Sequence, residues 1–287
     1  MGINAKKLVK YAFYGVVFCV FHLGSNPAHA VLDKARQAGF VPHKALYDVV
    51  LESRKNGSQI SNIAGQMFYE WKPSCDAWIS NHRFDVTYDY SEGASMRITS
   101  DFSTYESFDG KSMSFTSKRK RNGMVFEELR GNAGIEEGAG EAVYSMPPDL
   151  VFELPEGTLF PMAHTLDVME KIKNNKKFYK ATIFDGSDAD GPVDINSFIA
   201  KEYDTSGIAE GLEKGGEAFV ENKAWFLRLA FFPLHEYSAK ADYEMDLVFH
   251  ENGVISDMVV EYEDFAIRQK LVAIEPMEDV CGEEENE

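Results

Sequence analysis

Cysteine is scarce in this chain, three residues in 287, and no two of them form a Cys-x-x-Cys pair. That absence removes a thioredoxin-like exchange centre and a thiolate zinc module. Histidine is thinly spread as well. Beyond residue 30 it occurs at His43, His82, His164, His235 and His250, never at the short spacing of a zinc site, and there is no HExxH. A Gly-x-Ser-x-Gly elbow and a phosphate-cradling Gly-Lys-Ser/Thr are also missing, so neither an elbow-type hydrolase nor a P-loop enzyme is indicated. No cofactor and no metal is expected. Basic residues are outnumbered 29 to 47, for a net charge of −18. Such acidity opposes binding to nucleic acid or anionic head groups and suits a neutral or cationic partner.

Long apolar runs are absent apart from Tyr11 to Leu23. This run follows Lys6, Lys7 and Lys10 and is broken by Gly24, Ser25, Asn26 and Pro27. It is too short for a stable span, which needs about 20 apolar residues. With Ala28-His29-Ala30 behind it, the segment reads as a cleavable signal peptide over residues 1–30, and the mature chain is expected to start at Val31. Phe18 before Cys19, in mid-run, does not suit a lipid-attachment site. A protein exported to a bacterial periplasm, not membrane-spanning, is therefore expected. Cleavage would remove three lysines and no acid, deepening the negative charge. Residues 282–287 read as a solvated acidic tail, which leaves one domain over 31–281.

Export gives the two remaining cysteines a meaning. Cys75 and Cys281 are expected to form one disulfide, because free pairs are uncommon in oxidising compartments. The closed loop spans some 206 positions, and the chain-entropy model assigns such a bridge about 5 kcal/mol as an upper figure.

Period-two alternation dominates the rest. Strands are predicted over 45–51, 84–90, 95–103, 112–117, 124–130, 177–184, 224–230, 241–250, 253–262 and 265–271, all rich in β-branched and aromatic residues. Asn252-Gly253 is the strongest hairpin signal, since both residues tolerate positive φ. Arg119 to Gly123 is a second, its basic cluster read as a solvated tip. Two segments look helical. Pro161 to Asn175 has Pro in its first turn and Leu166, Met169 and Ile172 at 3–4 spacing; Val31 to Gly39 is a short helix or arm. The pattern predicts an all-β protein, a sandwich or barrel-like antiparallel sheet.

Two places invite a chemical reading. His164 falls in the first turn of the predicted helix, but no nucleophile accompanies it, so a buried or capping role is expected. The acids of Asp185 to Asp190 look like a calcium loop, yet their spacing fails the EF-hand register and no closing Glu follows; a polar turn is expected. Trp71, Trp78, Trp225, Phe226, Phe231, Phe232 and the many tyrosines on the strands are read first as core, and second as the lining of a cavity for a lipid or peptide segment.

Several segments resemble a known family. His43-Lys44-Ala45-Leu46-Tyr47, the strand ending near Tyr69-Glu70 with Cys75-Asp76-Ala77-Trp78 after it, Leu154 to Pro161 running on to His164, Phe184-Asp185-Gly186, Asn252-Gly253-Val254-Ile255 and Cys281 are similar to the EipB family of periplasmic cell-envelope integrity proteins of alphaproteobacteria. The likeness covers His43 to Cys281, with Lys44 where Arg is usual. It implies a β-spiral, a single long antiparallel sheet curled into a barrel-like spiral and stapled by a bridge to which Cys75 and Cys281 correspond. It attaches no enzymatic activity and no catalytic residue. The shape is similar to periplasmic half-barrels that carry lipoproteins or lipids, so an envelope protein or lipid-like ligand is the expected partner. A hydrolase of an envelope polymer, using His164 with Asp185–Asp190, and a purely structural scaffold are the competing readings.

Overall fold

The computed structural model describes residues 39–136, 138–212, 216–234 and 240–277. The proposed signal peptide, the Val31–Ala38 arm, Cys281 and the acidic tail lie outside the described residues. Fourteen strands form one antiparallel sheet: β1 (His43–Arg54), β2 (Ile60–Pro73), β3 (Ala77–Tyr90), β4 (Met96–Ser107), β5 (Ser112–Arg121), β6 (Met124–Glu136), β7 (Ala139–Met146), β8 (Val151–Leu154), β9 (Phe178–Ile183), β10 (Val193–Tyr203), β11 (Ala224–Pro233), β12 (Tyr243–His250), β13 (Ile255–Glu261) and β14 (Phe265–Pro276). Helix α1 (Pro161–Lys173) joins β8 to β9.

Each strand pairs with its sequence neighbour, and β14 returns to pair along nearly all of β1. The order is thus cyclic, with a single break between β8 and β9. The break is bridged in part: Leu159 pairs in parallel with Ile183, its N–H donating to the Thr182 carbonyl at 2.9 Å while Phe184 N–H donates to the Leu159 carbonyl at 3.0 Å. The sheet is a barrel left open at one seam, and the helix crosses at that seam.

The helix lies within the curl because its sequence is apolar on more than one face. Met162, His164, Leu166, Val168, Met169 and Ile172 are all buried, as expected of a helix enclosed on several sides. They pack against Trp71, Trp78, Phe108, Ile195, Leu227 and Phe249. Trp71 and Trp78 stack at 5.2 Å, and Phe108 meets Trp78 edge-on at 4.7 Å. Pro161 starts the helix, but Phe160 at its N-cap offers no side-chain acceptor. The acceptor comes from β4, where the Glu106 carboxylate takes the N–H of Met162 at 2.7 Å and of Ala163 at 2.9 Å. In its ionised form this carboxylate also complements the helix dipole.

A second cluster fills the β5–β8 side around Phe115, which meets Tyr144 at 4.9 Å and Phe184 at 5.5 Å. Gly186, at φ +71°, lies against the Phe115 ring so closely that a Cβ there would sit 2.4 Å from Cγ.

The ten predicted strands are present, β9, β12 and β13 shorter than expected and the others longer; β7, β8 and β10 were not anticipated, and β2 only as the strand ending near Tyr69-Glu70. The Asn252-Gly253 hairpin differs in type. Only Gly253 has positive φ (86°). His250 N–H bonds to the Val254 carbonyl and Gly253 N–H to the His250 carbonyl, which makes a three-residue loop with a glycine bulge rather than a two-residue turn. Asn122-Gly123 is the true two-residue case, at φ 49° and 83°. The helix ends two residues short of the predicted Asn175, which turns left-handed (φ 54°) after the Asn174 cap.

Candidate functional site

Between α1 and the concave face of the sheet lies a cavity of about 380 Å³, within the usual range for small-molecule sites. The inward parity of separate strands builds it. Tyr47 on β1, Met67 and Tyr69 on β2 and His82 on β3 face it from one side; Leu227 and Leu229 on β11, Met245, Leu247 and Phe249 on β12, and Ile255 and Met258 on β13 face it from the other. The helix contributes His164, Thr165 and Val168. The wall is Met- and Leu-rich, and its methionines are side chains that adapt to irregular ligands.

The few polar groups are held neutral. Tyr47 is buried and donates to the Ile255 carbonyl at 2.9 Å, and burial pushes its hydroxyl far above its ordinary value. Burial likewise pushes Tyr69 up to about 12 and His82 down to about 4. His82 packs edge-on against Tyr69 at 4.8 Å. Burial also lowers His164 to about 4, against the opposing charge of Asp167. His164 stacks on Tyr179 at 6.0 Å, and its Nε2 has no hydrogen-bond partner. No Asp or Glu lines the cavity. At neutral pH its wall is therefore uncharged, with two imidazoles able to offer a weak polar contact.

The predicted sites are thus dispersed. His164 reaches the cavity wall, but the Asp185–Asp190 acids are used in their own loop. Asp185 accepts from Ser187 N–H at 2.8 Å and Asp188 from Asp190 N–H at 2.9 Å, and the Asp188 carbonyl takes the Tyr144 hydroxyl at 2.8 Å. Burial raises Asp188 to about 6. None of these carboxylates joins His164 in the cavity, so the pairing required by the hydrolase reading is not formed there. Among the described residues no group of three or more His, Cys, Asp or Glu is placed to hold a metal.

The aromatic expectation needs correction in its particulars. Trp71, Trp78 and Phe231 are core, and none of the six Trp and Phe residues singled out in the sequence lines the cavity, whereas the strand tyrosines Tyr47 and Tyr69 do. Packing against the helix claims the tryptophans, which leaves smaller, flexible side chains at the wall. His82 was missed because it sits in a stretch of mixed polarity, Ser80-Asn81-His82-Arg83, where only the parity of β3 reveals the inward face.

His250 serves the fold. It is fully buried between Asn222 Oδ1 at 3.1 Å and Ser256 Oγ at 2.7 Å, and burial lowers it to about 4. Cys75 sits in the short turn between β2 and β3 and is not a free thiol.

A nearly complete antiparallel barrel, opened at one seam and enclosing a helix and an apolar cavity, defines a barrel-like β-spiral protein. The comparisons agree. The EipB-like family model matches residues 34–278, and the chain belongs to that family. Its relative, the cell envelope integrity protein EipB of Brucella abortus (strain 2308), is 30% identical over 238 residues, covering 82% of this chain and 84% of the relative. The crystal structure of a β-barrel-like protein with a domain of unknown function, also from Brucella abortus, superposes with a TM-score of 0.77 at 30% identity, covering 83% of this chain and 99% of the other.

Proposed function

We propose that this chain is an exported, non-enzymatic protein of the periplasm that supports cell-envelope integrity by holding an apolar, lipid-like segment between α1 and the sheet. The family relative's name supports the envelope role. The observation that carries the binding reading is the cavity itself, about 380 Å³ with a Met/Leu wall and no charged group. No helix among the described residues is long and apolar enough to cross a membrane, which is compatible with a periplasmic place. The domain extent 31–281, the cleaved signal 1–30, the acidic tail and the Cys75–Cys281 bridge belong to the same proposal.

Magnitudes bear on the type of binding. At about 30 Å³ per water-sized group the space holds roughly a dozen methylenes. At about 0.8 kcal/mol each, their burial contributes roughly 10 kcal/mol. Association costs at least about 4 kcal/mol, which leaves about 6 kcal/mol, a Kd in the tens of micromolar. That value suits an exchangeable ligand rather than a permanent cofactor. The test pairs a deletion strain with native mass spectrometry of gently released protein. Detergent sensitivity in the deletion together with an apolar adduct on the protein supports the reading; normal detergent resistance and a bare mass would sink it.

A further inference from the structure

The β5–β6 hairpin ends in a tip that the fold does not use. Its two-residue turn, Asn122-Gly123, is braced against β4: Asn122 N–H donates to the Arg97 carbonyl and Asn122 Oδ1 accepts from Arg97 N–H, both at 2.8 Å. Directly after the turn come Met124, Val125 and Phe126, exposed by 74%, 50% and 47%. Three consecutive exposed apolar residues on a rigid hairpin are costly for solubility unless they meet a partner.

Lys118, Arg119, Lys120 and Arg121 run up the opposite strand. The lower two are neutralised, Lys118 by Glu128 at 3.2 Å and Arg119 by Glu127 at 2.7 Å. Lys120 and Arg121 have no carboxylate partner among the described residues. They pair across the hairpin with Val125 and Met124, and the Arg121 guanidinium lies over the Phe126 ring at 5.0 Å. The tip thus presents two unpaired cations interleaved with three apolar side chains, on a molecule whose net charge is −18.

We propose that this tip docks on an anionic phospholipid surface, with Met124, Val125 and Phe126 entering the head-group layer and Lys120 and Arg121 meeting lipid phosphates. The overall negative charge does not forbid it. At physiological salt the screening length is about 8 Å, so carboxylates farther away act weakly. Glu127 and Glu128, which follow on the same strand, are already paired. Charge complementarity selects an anionic bilayer over a neutral one, and an apolar run without a groove selects a soft surface over a shaped one. The inference does not rest on the cavity, and the two fail separately.

The test is co-sedimentation of the full mature chain with vesicles of phosphatidylcholine alone or containing phosphatidylglycerol. Binding is expected only to the anionic vesicles, weakening as salt rises. Lys120→Gln/Arg121→Gln should lower partitioning roughly 30-fold, at about fivefold per basic residue. Met124→Ser/Phe126→Ser should abolish it, with melting temperatures within a few degrees of the parent, since exposed substitutions seldom move stability. Equal binding to neutral vesicles, or retention of binding in both double variants, would overturn the proposal. A soluble acidic protein captured through the tip without any vesicle binding would also overturn it.

Discussion

Replacing Glu106 by alanine removes the acceptor that holds the start of α1. Two N–H groups end on its carboxylate, from Met162 at 2.7 Å and Ala163 at 2.9 Å, and the residue is only 2% exposed. A buried donor left without a partner costs roughly 1–3 kcal/mol, so two cost about 4 kcal/mol. In a domain of this size each kcal/mol moves Tm by about 2–4 °C. A fall of roughly 8–16 °C is expected by differential scanning calorimetry. Glu106→Gln keeps one oxygen acceptor but sets an amide NH₂ against the other donor, so about half that fall is expected. A pH arm tests the balance between burial and the two cap bonds. Burial pushes Glu106 up to about 7 against the pull of both N–H bonds. The folded protein thus holds this proton more tightly than the unfolded chain, where the usual value is near 4.5. Acidification from pH 7 to 4.5 strengthens the wild-type fold through this group, and that contribution is lost as pH rises through the same window to about 7. The deficit of Glu106→Gln relative to wild type should therefore widen as pH falls through that window. A fall under about 2 °C for Glu106→Ala would refute the cap, and a deficit independent of pH would refute the dominance of burial over its two N–H bonds.

Three further outcomes follow from the geometry. Gly65→Ala on β2 would place a Cβ 2.2 Å from the backbone oxygen of Asp85 on β3; the strands must part, and chemical denaturation should register a loss of about 2 kcal/mol, in the range for overpacking. Burial holds His82, His164 and His250 near 4 against about 6.5 in an unfolded chain. Their contribution to stability is complete above pH 6.5 and lost as pH falls toward 4, because the unfolded chain takes up protons first; His250→Asn should flatten that acid limb in urea titrations. Cys75→Ser or Cys281→Ser should lower Tm at unchanged β-sheet circular dichroism, and equal melting of oxidised and reduced wild type would contradict the bridge.

Much of the sheet was legible because strands such as Ala45–Leu51 and Phe84–Tyr90 alternate cleanly between inward and outward residues. The start of β2 escaped because Asn62, Ala64 and Gly65 dilute its β signal and a bulge near Ile60 shifts its register. β10 escaped for a different reason. Its inward face carries Ser197 between Ile195 and Ile199, while Phe198 points outward and meets Phe178 at 5.4 Å, so its polarity runs against the usual pattern. The helix was readable from Pro161 and its 3–4 spacing, yet its cap was not, since Glu106 lies 56 positions earlier. The cavity was the least legible feature. Its wall takes one to three residues from each of several strands, and only their pairing register brings Met67, Met245 and Met258 to one space. Of the bulky aromatics that drew attention in the sequence, the core consumes Trp71, Trp78 and Phe231.

The central claim is that the space between α1 and the sheet takes an apolar chain. Titration of delipidated protein with a fluorescent fatty acid tests it most directly, with Met258→Trp as the variant that fills part of the cavity. The account predicts saturable binding at one site with a Kd in the tens of micromolar. Each methylene displaced by the tryptophan should cost about 0.8 kcal/mol, or about fourfold in affinity. No saturable uptake, or equal affinity in a folded Met258→Trp protein, would contradict it.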